Sequence, residues 1–280
     1  MHQSKNFYID LHEVFDVKTS KSSKKVPSFL VTLVTKIIRQ DDLNDFIRKS
    51  NGATGVDFAS YSMDYFNMQC NVIGAENLPE KDKKCVFASN HPLGAADGLC
   101  LSSILGNHYD KNVKYIVNDL LLFVEPLRPI FIPINKHGDQ VRENAKILNE
   151  AFTSSDQIIT FPAGLCSRKI NGKISDLDWK KMLVVKAVEH KRDIVPIYFE
   201  ARNSNFFYNI ANIRARLKIK FNVEMLFLPR ELFKIKKAKN LIFNIYIGKP
   251  ISWQTFDSSK TPQQWTNWMK QTVYDLDKTN

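Results

Sequence analysis

The stretch Cys85-Val-Phe-Ala-Ser-Asn-His-Pro-Leu-Gly-Ala-Ala-Asp97 decides the fold. It begins with a short apolar run, Cys85–Ala88, which is typical of a buried strand. It then passes through a loop that contains proline and glycine and leads into a helical stretch. A strand that ends in such a loop and is followed by a helix is the unit from which α/β sheets are built.

The same alternation continues along the chain. Further strands are predicted at Tyr115–Val117, Ile130–Ile134, Ile158–Phe161, Ile194–Phe199, Glu224–Leu228 and Leu241–Ile247. Helical patterns are clearest at Asp139–Ser155, Asp178–His190 and Pro262–Leu276. The sequence therefore predicts an α/β fold, a mixed β-sheet flanked by helices.

The N-terminal region has a different pattern. Residues 1–25 are polar, end in the Ser/Lys-rich stretch Lys18–Lys25 and are expected to form a mobile arm. An apolar stripe follows Pro27 at helical spacing and consists of Phe29, Leu30, Leu33, Val34, Ile37 and Ile38. It either packs on the core or faces a membrane. A second helix is predicted from Asp41 or Asp42 to Ser50. We therefore expect an N-terminal arm and helical segment over 1–72 and an α/β domain over 73–280.

Charge and cysteine usage limit the classes of partner. The chain has 40 Lys and Arg against 29 Asp and Glu, a net charge of +11, which favours anionic partners unless the surface is merely solvated. The cysteines, at 70, 85, 100 and 166, have no C-x-x-C spacing, so no metal site or disulfide framework is predicted. Reduced thiols fit a cytoplasmic setting, and Cys166 is expected to be a packing residue. No signal peptide is recognisable, and the run 26–38 is shorter than the ~20 apolar residues that a membrane span needs.

The loop after the first strand carries a candidate acid–base pair. His91 precedes Asp97 by six positions, with proline and glycine between them, which suits a loop that folds the carboxylate back onto the imidazole. The carboxylate would fix the tautomer of the ring, and the other ring nitrogen could take a proton from a hydroxyl. The alternative is a capped helix beside a histidine with satisfied hydrogen bonds.

A second loop, Ile158-Ile-Thr-Phe-Pro-Ala-Gly-Leu-Cys-Ser-Arg-Lys169, ends a strand in a Pro/Gly turn. Gly164 permits a close approach to the backbone. Free N–H groups of the turn, together with Arg168, can hold a phosphate or a developing oxyanion. The alternative is an ordinary tight turn beside a surface arginine.

Two further stretches lie in order with these loops. Pro129–Lys136 ends a strand with a cation, and Ile194-Val-Pro-Ile197 places a proline in a strand. The ordered set resembles the glycerolipid acyltransferase family, of the bacterial lysophosphatidate-acyltransferase type. That family has Asn-His, four residues and Asp, then a strand ending in Arg, then Phe-Pro-Glu-Gly-Thr-Arg-Ser and a Val-Pro strand. The resemblance covers roughly residues 73–200, with weaker similarity at Gly74–Pro79 and Ile247–Ile251.

The sequence departs from the family pattern at several motif positions. Five residues rather than four separate His91 from Asp97, Ala163 replaces Glu and Leu165 replaces Thr. The Arg/Ser pair is inverted as Ser167-Arg168, and Lys136 replaces Arg. These changes resemble the branch labelled hemolysin-like, which includes O-acyltransferases that make ornithine or glycine lipids. The acceptor is therefore expected to differ from a glycerol phosphate.

The resemblance implies a mechanism and a set of partners. His91 would be the general base and Asp97 its orienting carboxylate. The substrate-binding residues would be Asn90, Lys136, Phe161, Pro162, Gly164, Ser167 and Arg168. The acyl donor would be acyl carrier protein or acyl-CoA, with no bound cofactor, and the acceptor a lysolipid. The protein would lie peripherally on an anionic membrane, on the cytoplasmic, inner face.

Two other classes remain open from the sequence. One is a non-enzymatic, hemolysin-like membrane protein, which would have no use for a His–Asp pair followed by a phosphate-binding turn. The other is a nucleic-acid binder, suggested by the basic stretches Arg214–Lys220 and Lys234–Lys239. No zinc, RNA-recognition or helix-turn-helix pattern accompanies them, so nucleic acid is not expected as a partner.

Overall fold

The computed structural model describes residues 8–9, 27–118, 124–134, 141–238 and 241–278. Its strands are β1 (Gln69–Ile73), β2 (Cys85–Ser89), β3 (Val113–Asn118), β4 (Phe131–Ile134), β5 (Gln157–Thr160), β6 (Arg168–Ile170), β7 (Lys173–Ser175), β8 (Asp193–Glu200) and β9 (Ile242–Ile247). Its α-helices are α1 (Ser28–Ile37), α2 (Gln40–Lys49), α3 (Gly55–Phe66), α4 (Ala96–His108), α5 (Val141–Thr153), α6 (Met182–Glu189), α7 (Asn205–Arg216), α8 (Leu228–Lys237) and α9 (Pro262–Asp275).

Seven of these strands form one mixed sheet, in the order β1-β9-β8-β2-β5-β3-β4. The strands from β8 to β4 pair in parallel, whereas β9 runs antiparallel to β8 and parallel to β1. Every residue of β2 is buried, because this strand lies inside the sheet and helices cover both of its faces. The mixed sheet with flanking helices confirms the predicted fold class.

Alternate residues of the strands point into two apolar cores. Phe87 and Ile159 belong to the core that includes residues of α2, α3, α4 and α8. Val86 and Ile158 belong to the core formed with α5, α6 and α9. The two-residue period of the strands therefore places one layer of helices on each face of the sheet.

One predicted strand is wrong. Residues Val223–Phe227 form a 3₁₀ helix, and α8 begins directly after it at Leu228 with Pro229 in its first turn. Pro229 has no N–H to donate to a strand ladder and favours the start of a helix. The carboxylate of Glu224 also faces the interior, where it accepts hydrogen bonds from Arg168 and Arg214. Strand β1 and the hairpin β6–β7 were not predicted.

The N-terminal stripe divides between the interior and the surface. Of its members, Ile38 is buried, whereas Phe29, Leu30 and Leu33 of α1 are exposed. The following helices contribute to the core of the sheet domain, and the expected boundary at 72/73 falls inside β1. The division into two domains stays a prediction. The Ser/Lys-rich arm lies outside the described residues. Over the described ranges, no helix has the length and apolar character needed to cross a bilayer.

Candidate active site

The backbone of His91 is fixed from both sides. The His91 N–H donates to the two carboxylate oxygens of Asp176, at 3.1 and 3.3 Å. The His91 carbonyl accepts from the N–H of Ser167 at 2.7 Å. Since Ser167 belongs to the turn that follows β5, the loops after two neighbouring parallel strands meet at His91. This is the strand edge at which open α/β sheets bind ligands.

The predicted acid–base pair is formed. His91 Nδ1 lies 3.0 Å from Asp97 Oδ2, and both side chains are buried. The same carboxylate oxygen accepts the N–H groups of Leu93 and Gly94, at 2.9 and 3.2 Å. Its other oxygen accepts the N–H of Gly98 at 2.9 Å. At this turn, Gly94 has a φ of +83° and lies too close to Cys166 for a Cβ atom to fit easily.

The charge state of Asp97 suits an orienting carboxylate. Complete burial raises the pKa of this carboxyl, but the charge and hydrogen bond of His91 and the donated backbone N–H groups outweigh it. The net effect lowers the pKa below the ordinary value of 3.8. An ionised Asp97 at neutral pH holds the Nδ1–H tautomer of His91 and leaves Nε2 able to accept a proton.

The turn after β5 forms a second side of the site. The ring of Phe161 stacks on the His91 ring, with 4.1 Å between the centroids. Pro162 accepts the Lys180 N–H through its carbonyl. Gly164 has a φ of +70° and closes the turn by donating its N–H to the Phe161 carbonyl. Of the predicted binding residues, Phe161 and Gly164 therefore lie beside the His91–Asp97 pair.

An apolar cavity of about 220 Å³ leads to His91. Its polar side chains are those of His91, Ser102 and Tyr115, and Gly94, Ala95 and Gly164 line it near the pair. Its apolar lining includes Ile9, Leu43, Phe46, Ile47, Phe58, Leu99, Val124, Leu127, Phe131, Leu165, Met225, Leu228 and Leu232. Such a space fits an aliphatic chain whose reactive end reaches the imidazole.

Three other predicted residues, Asn90, Ser167 and Arg168, bind protein groups around the site. The Asn90 amide exchanges two hydrogen bonds with the backbone of Phe199, at 3.0 and 2.7 Å, and so ties the loop to the end of β8. The Ser167 hydroxyl donates to Asp176 at 2.6 Å. Arg168 is buried and donates to Glu224 at 2.8 Å. These three side chains bind protein groups, and Lys136 lies outside the described residues.

This chain is similar to known proteins over most of its length. A family model described as acyltransferase matches residues 13–279. The chain belongs to the acyltransferase family. A lyso-glycine lipid O-acyltransferase from Phocaeicola vulgatus is 48% identical over 270 residues, which cover 96% of this chain and 95% of the relative. A protein of the same name from Bacteroides thetaiotaomicron is 47% identical over 270 residues, which cover 96% and 98%.

A solved structure, the 1-acyl-sn-glycerophosphate acyltransferase PlsC from Thermotoga maritima, aligns with 95% of this chain and 94% of its own. It is 15% identical, and its TM-score is 0.47. The family model and the two relatives confirm the resemblance drawn from the motifs. The protein is an O-acyltransferase.

Sequence reasoning missed two buried carboxylates of this acyltransferase. Asp176 binds the His91 N–H, the Ser167 hydroxyl and the Trp179 indole, the last at 2.9 Å. Glu224 accepts from Arg168 and Arg214, at 2.8 and 3.0 Å. Asp176 follows a short hairpin without any local motif, and Glu224 falls in the wrongly predicted strand. Neither position carries a sequence signal for burial.

The cysteine in the third motif of the acyltransferase is not placed as a nucleophile. Burial raises the pKa of the Cys166 thiol to about 11, although the charge and hydrogen bond of Arg168 act in the opposite direction. The thiol therefore stays protonated at neutral pH, whereas a thiolate is the nucleophilic form. This agrees with the expectation that Cys166 packs the turn.

Proposed function

We propose that this acyltransferase moves a fatty acyl group from a thioester donor to the hydroxyl of a lyso-glycine lipid. The observation that carries the proposal is the buried His91–Asp97 pair at the end of an apolar cavity. The names of the two relatives support the acceptor. The donor is acyl carrier protein or acyl-CoA, whose acidic groups or phosphates complement a chain of net charge +11.

The reaction follows from the geometry of the pair. His91 Nε2 takes the proton of the acceptor hydroxyl while Asp97 stabilises the imidazolium that forms. The hydroxyl oxygen attacks the thioester carbonyl carbon and forms a tetrahedral oxyanion. Within the Gly164–Arg168 turn, the N–H groups of Gly164 and Ser167 already donate to protein carbonyls. Another N–H of the turn, such as that of Leu165 beside the cavity, holds that charge. When the intermediate collapses, the C–S bond breaks, and the leaving thiolate takes the proton from His91.

The altered third motif supports the choice of acceptor. Ala163 is buried in the apolar core formed with α6 and α9, and Leu165 lines the cavity. At these positions the lysophosphatidate type carries a carboxylate and a hydroxyl. Of these two residues, only Leu165 faces the cavity, so the site presents an aliphatic side chain where the related enzymes hold a hydroxyl. This favours a lysolipid without a glycerol phosphate.

The enzyme would meet this acceptor at the inner face of the cell membrane, to which it binds peripherally. The exposed residues Phe29, Leu30 and Leu33 of α1 support this placement, because they can enter the headgroup region from one side. The Ser/Lys-rich arm that precedes α1 would attract anionic lipids.

The test compares acceptors, donors and variants. Purified protein is given lyso-glycine lipid or lysophosphatidate, each with acyl carrier protein or CoA carrying the same acyl chain. We expect a clear preference for lyso-glycine lipid. His91→Ala and Asp97→Asn should each lose roughly 10²–10⁴-fold in rate while their melting shows a folded protein. A preference for lysophosphatidate would refute the acceptor, and near-normal turnover by folded His91→Ala would refute the mechanism.

A further inference from the structure

The segment 213–221, at the end of α7, carries an unusual row of exposed apolar side chains. The exposed fractions of Leu217, Phe221, Ile213 and Ile219 are 65%, 58%, 55% and 41%. Large apolar side chains that are near one another in sequence and face solvent mark a site of interaction with a partner or a membrane. The active-site chemistry makes no use of them.

Exposed cations alternate with these side chains. Arg216, Lys218 and Lys220 are exposed, and the segment contains no acidic residue. The pattern is not the face of a strand, because α7 ends at Arg216 and Lys218 has a left-handed φ of 53°. Apolar and cationic groups therefore share one short surface segment.

This segment lies next to the wall of the cavity. The 3₁₀ helix that follows it contributes Met225 to the cavity lining. Helix α1 contacts that same 3₁₀ helix, and its residues Phe29 and Leu33 are exposed. Two separate elements with exposed apolar groups, α1 and the 213–221 segment, thus adjoin one element of the cavity wall.

A buried ion cluster holds the segment on the catalytic turn. Glu224 is fully buried and binds Arg214 at the start of the segment and Arg168 in the turn after β5. That turn is itself hydrogen-bonded to His91, because the Ser167 N–H donates to the His91 carbonyl. A surface that docks through 213–221 is therefore fixed relative to the reacting groups.

We propose that 213–221 is a second membrane-docking surface, which places Leu217 and Phe221 in the acyl boundary of an anionic bilayer and its three cations among the headgroups. It acts together with α1 and delivers the lipid to the cavity between them. The inference rests on the proposed function in so far as a lipid acceptor makes the bilayer the source of substrate. An anionic bilayer binds both kinds of side chain, because it buries apolar groups in its acyl boundary and attracts cations to its headgroups. Nucleic acid or an acidic carrier protein would use the cations and leave four apolar groups in water.

The test is flotation of the full-length protein with vesicles of phosphatidylglycerol and phosphatidylethanolamine. The test variant is Leu217→Glu with Phe221→Glu. The matched control is Val185→Glu with Trp268→Glu, two side chains 39% exposed on the helices of the opposite face of the sheet. We expect about a tenfold or greater loss of bound protein for the test variant and less than about twofold for the control, with melting curves recorded for both. Arg216→Gln with Lys218→Gln and Lys220→Gln should lose binding to these vesicles but not to phosphatidylcholine vesicles.

The outcomes separate this proposal from the enzymatic one. Acyl transfer to an acceptor in detergent micelles should stay within about twofold of wild type in the test variant, because the reacting groups are untouched. Normal flotation of a folded test variant would overturn the proposal that 213–221 docks on the membrane. The same holds if that variant floats normally but loses activity with acyl carrier protein as the donor. A wild-type protein that floats but acylates no lysolipid would instead refute the proposed function.

Discussion

At the scale of single residues, the proposed mechanism depends on how firmly the His91 imidazole is held. Nδ1 of His91 is fixed by Asp97, and its backbone is fixed by Asp176 and Ser167. The first contact sets the tautomer of the ring and the others set its position. A misplacement of about 1 Å in such a group can cost roughly 10² in rate, so the backbone contacts matter as much as the pair.

We expect Asp176→Asn to lower kcat by roughly tenfold or more. The carboxylate accepts three donors through its two oxygens, whereas an amide has only one acceptor oxygen, so His91 would shift. One buried donor left unsatisfied also costs about 1–3 kcal/mol of stability. Steady-state kinetics and thermal melting measure the two effects. Asp178→Asn, an exposed neighbour in the same loop, is the matched control. A variant that melts earlier but keeps its kcat would show that Asp176 is purely structural.

The lowered pKa of Asp97 predicts how its contribution to stability depends on pH. The folded state keeps this carboxyl ionised below the ordinary value of 3.8, so it binds fewer protons than the unfolded state. The contribution is complete above that value and is lost as pH falls through the folded pKa. The Tm gap between wild type and Asp97→Asn should therefore be largest near neutral pH and narrow in acid. A gap that stays constant down to acidic pH would contradict this.

At the scale of elements, α3 closely approaches the helix α4, which carries Asp97 in its first turn. A Cβ built on Gly106 of α4 would lie 2.5 Å from the Cγ2 atom of Val56 in α3. Gly106→Ala raises helix propensity by up to about 1 kcal/mol, but overpacking costs about 1–3 kcal/mol. We expect a net loss of stability, and a fall in activity as α4 moves. Denaturant unfolding of Gly106→Ala, of Val56→Ala and of the double variant that carries both changes measures the loss of stability. The double variant should recover part of the loss, whereas strict additivity would count against the contact.

The sequence predicts the elements whose pattern is local and fails where tertiary contacts decide. Strands β2 and β5 are apolar runs next to Pro/Gly loops, and their predicted bounds differ from the structure by one residue at each differing end. The stretch around Glu224 resembles a strand locally, but two arginines distant in sequence bury its carboxylate. The pair His91–Asp97 was predictable because only five residues separate its members. The role of Asp176 was not, because it lies 85 residues from His91.

At the scale of the whole molecule, the cavity is assembled from segments that no local pattern links. Residues of α2, of α4 and of α8 line it together with the two catalytic loops. Each helix shows only an ordinary apolar face in the sequence, since a side chain that lines a cavity and one that fills a core obey the same periodicity. The volume of this cavity is therefore a property of the assembled fold.

This volume predicts control of chain length. Ser102 is a small buried side chain of α4 in the cavity wall. Phenylalanine at this position would fill part of the space of about 220 Å³ with a ring and exclude the distal carbons of a long donor chain. We expect Ser102→Phe to shift the preference toward shorter acyl thioesters, while the rate with short chains stays close to that of wild type.

Competition among thioesters of graded length, followed by mass spectrometry of the products, measures this shift. Ser102→Ala keeps the space open and should retain the wild-type preference. Overpacking can cost about 1–3 kcal/mol, so melting curves accompany the assay. A uniform fall in rate at every chain length, in a protein that melts normally, would mean that the cavity does not hold the donor chain. A selective fall for long chains would instead place that chain between α2 and α4, with its thioester carbonyl at His91.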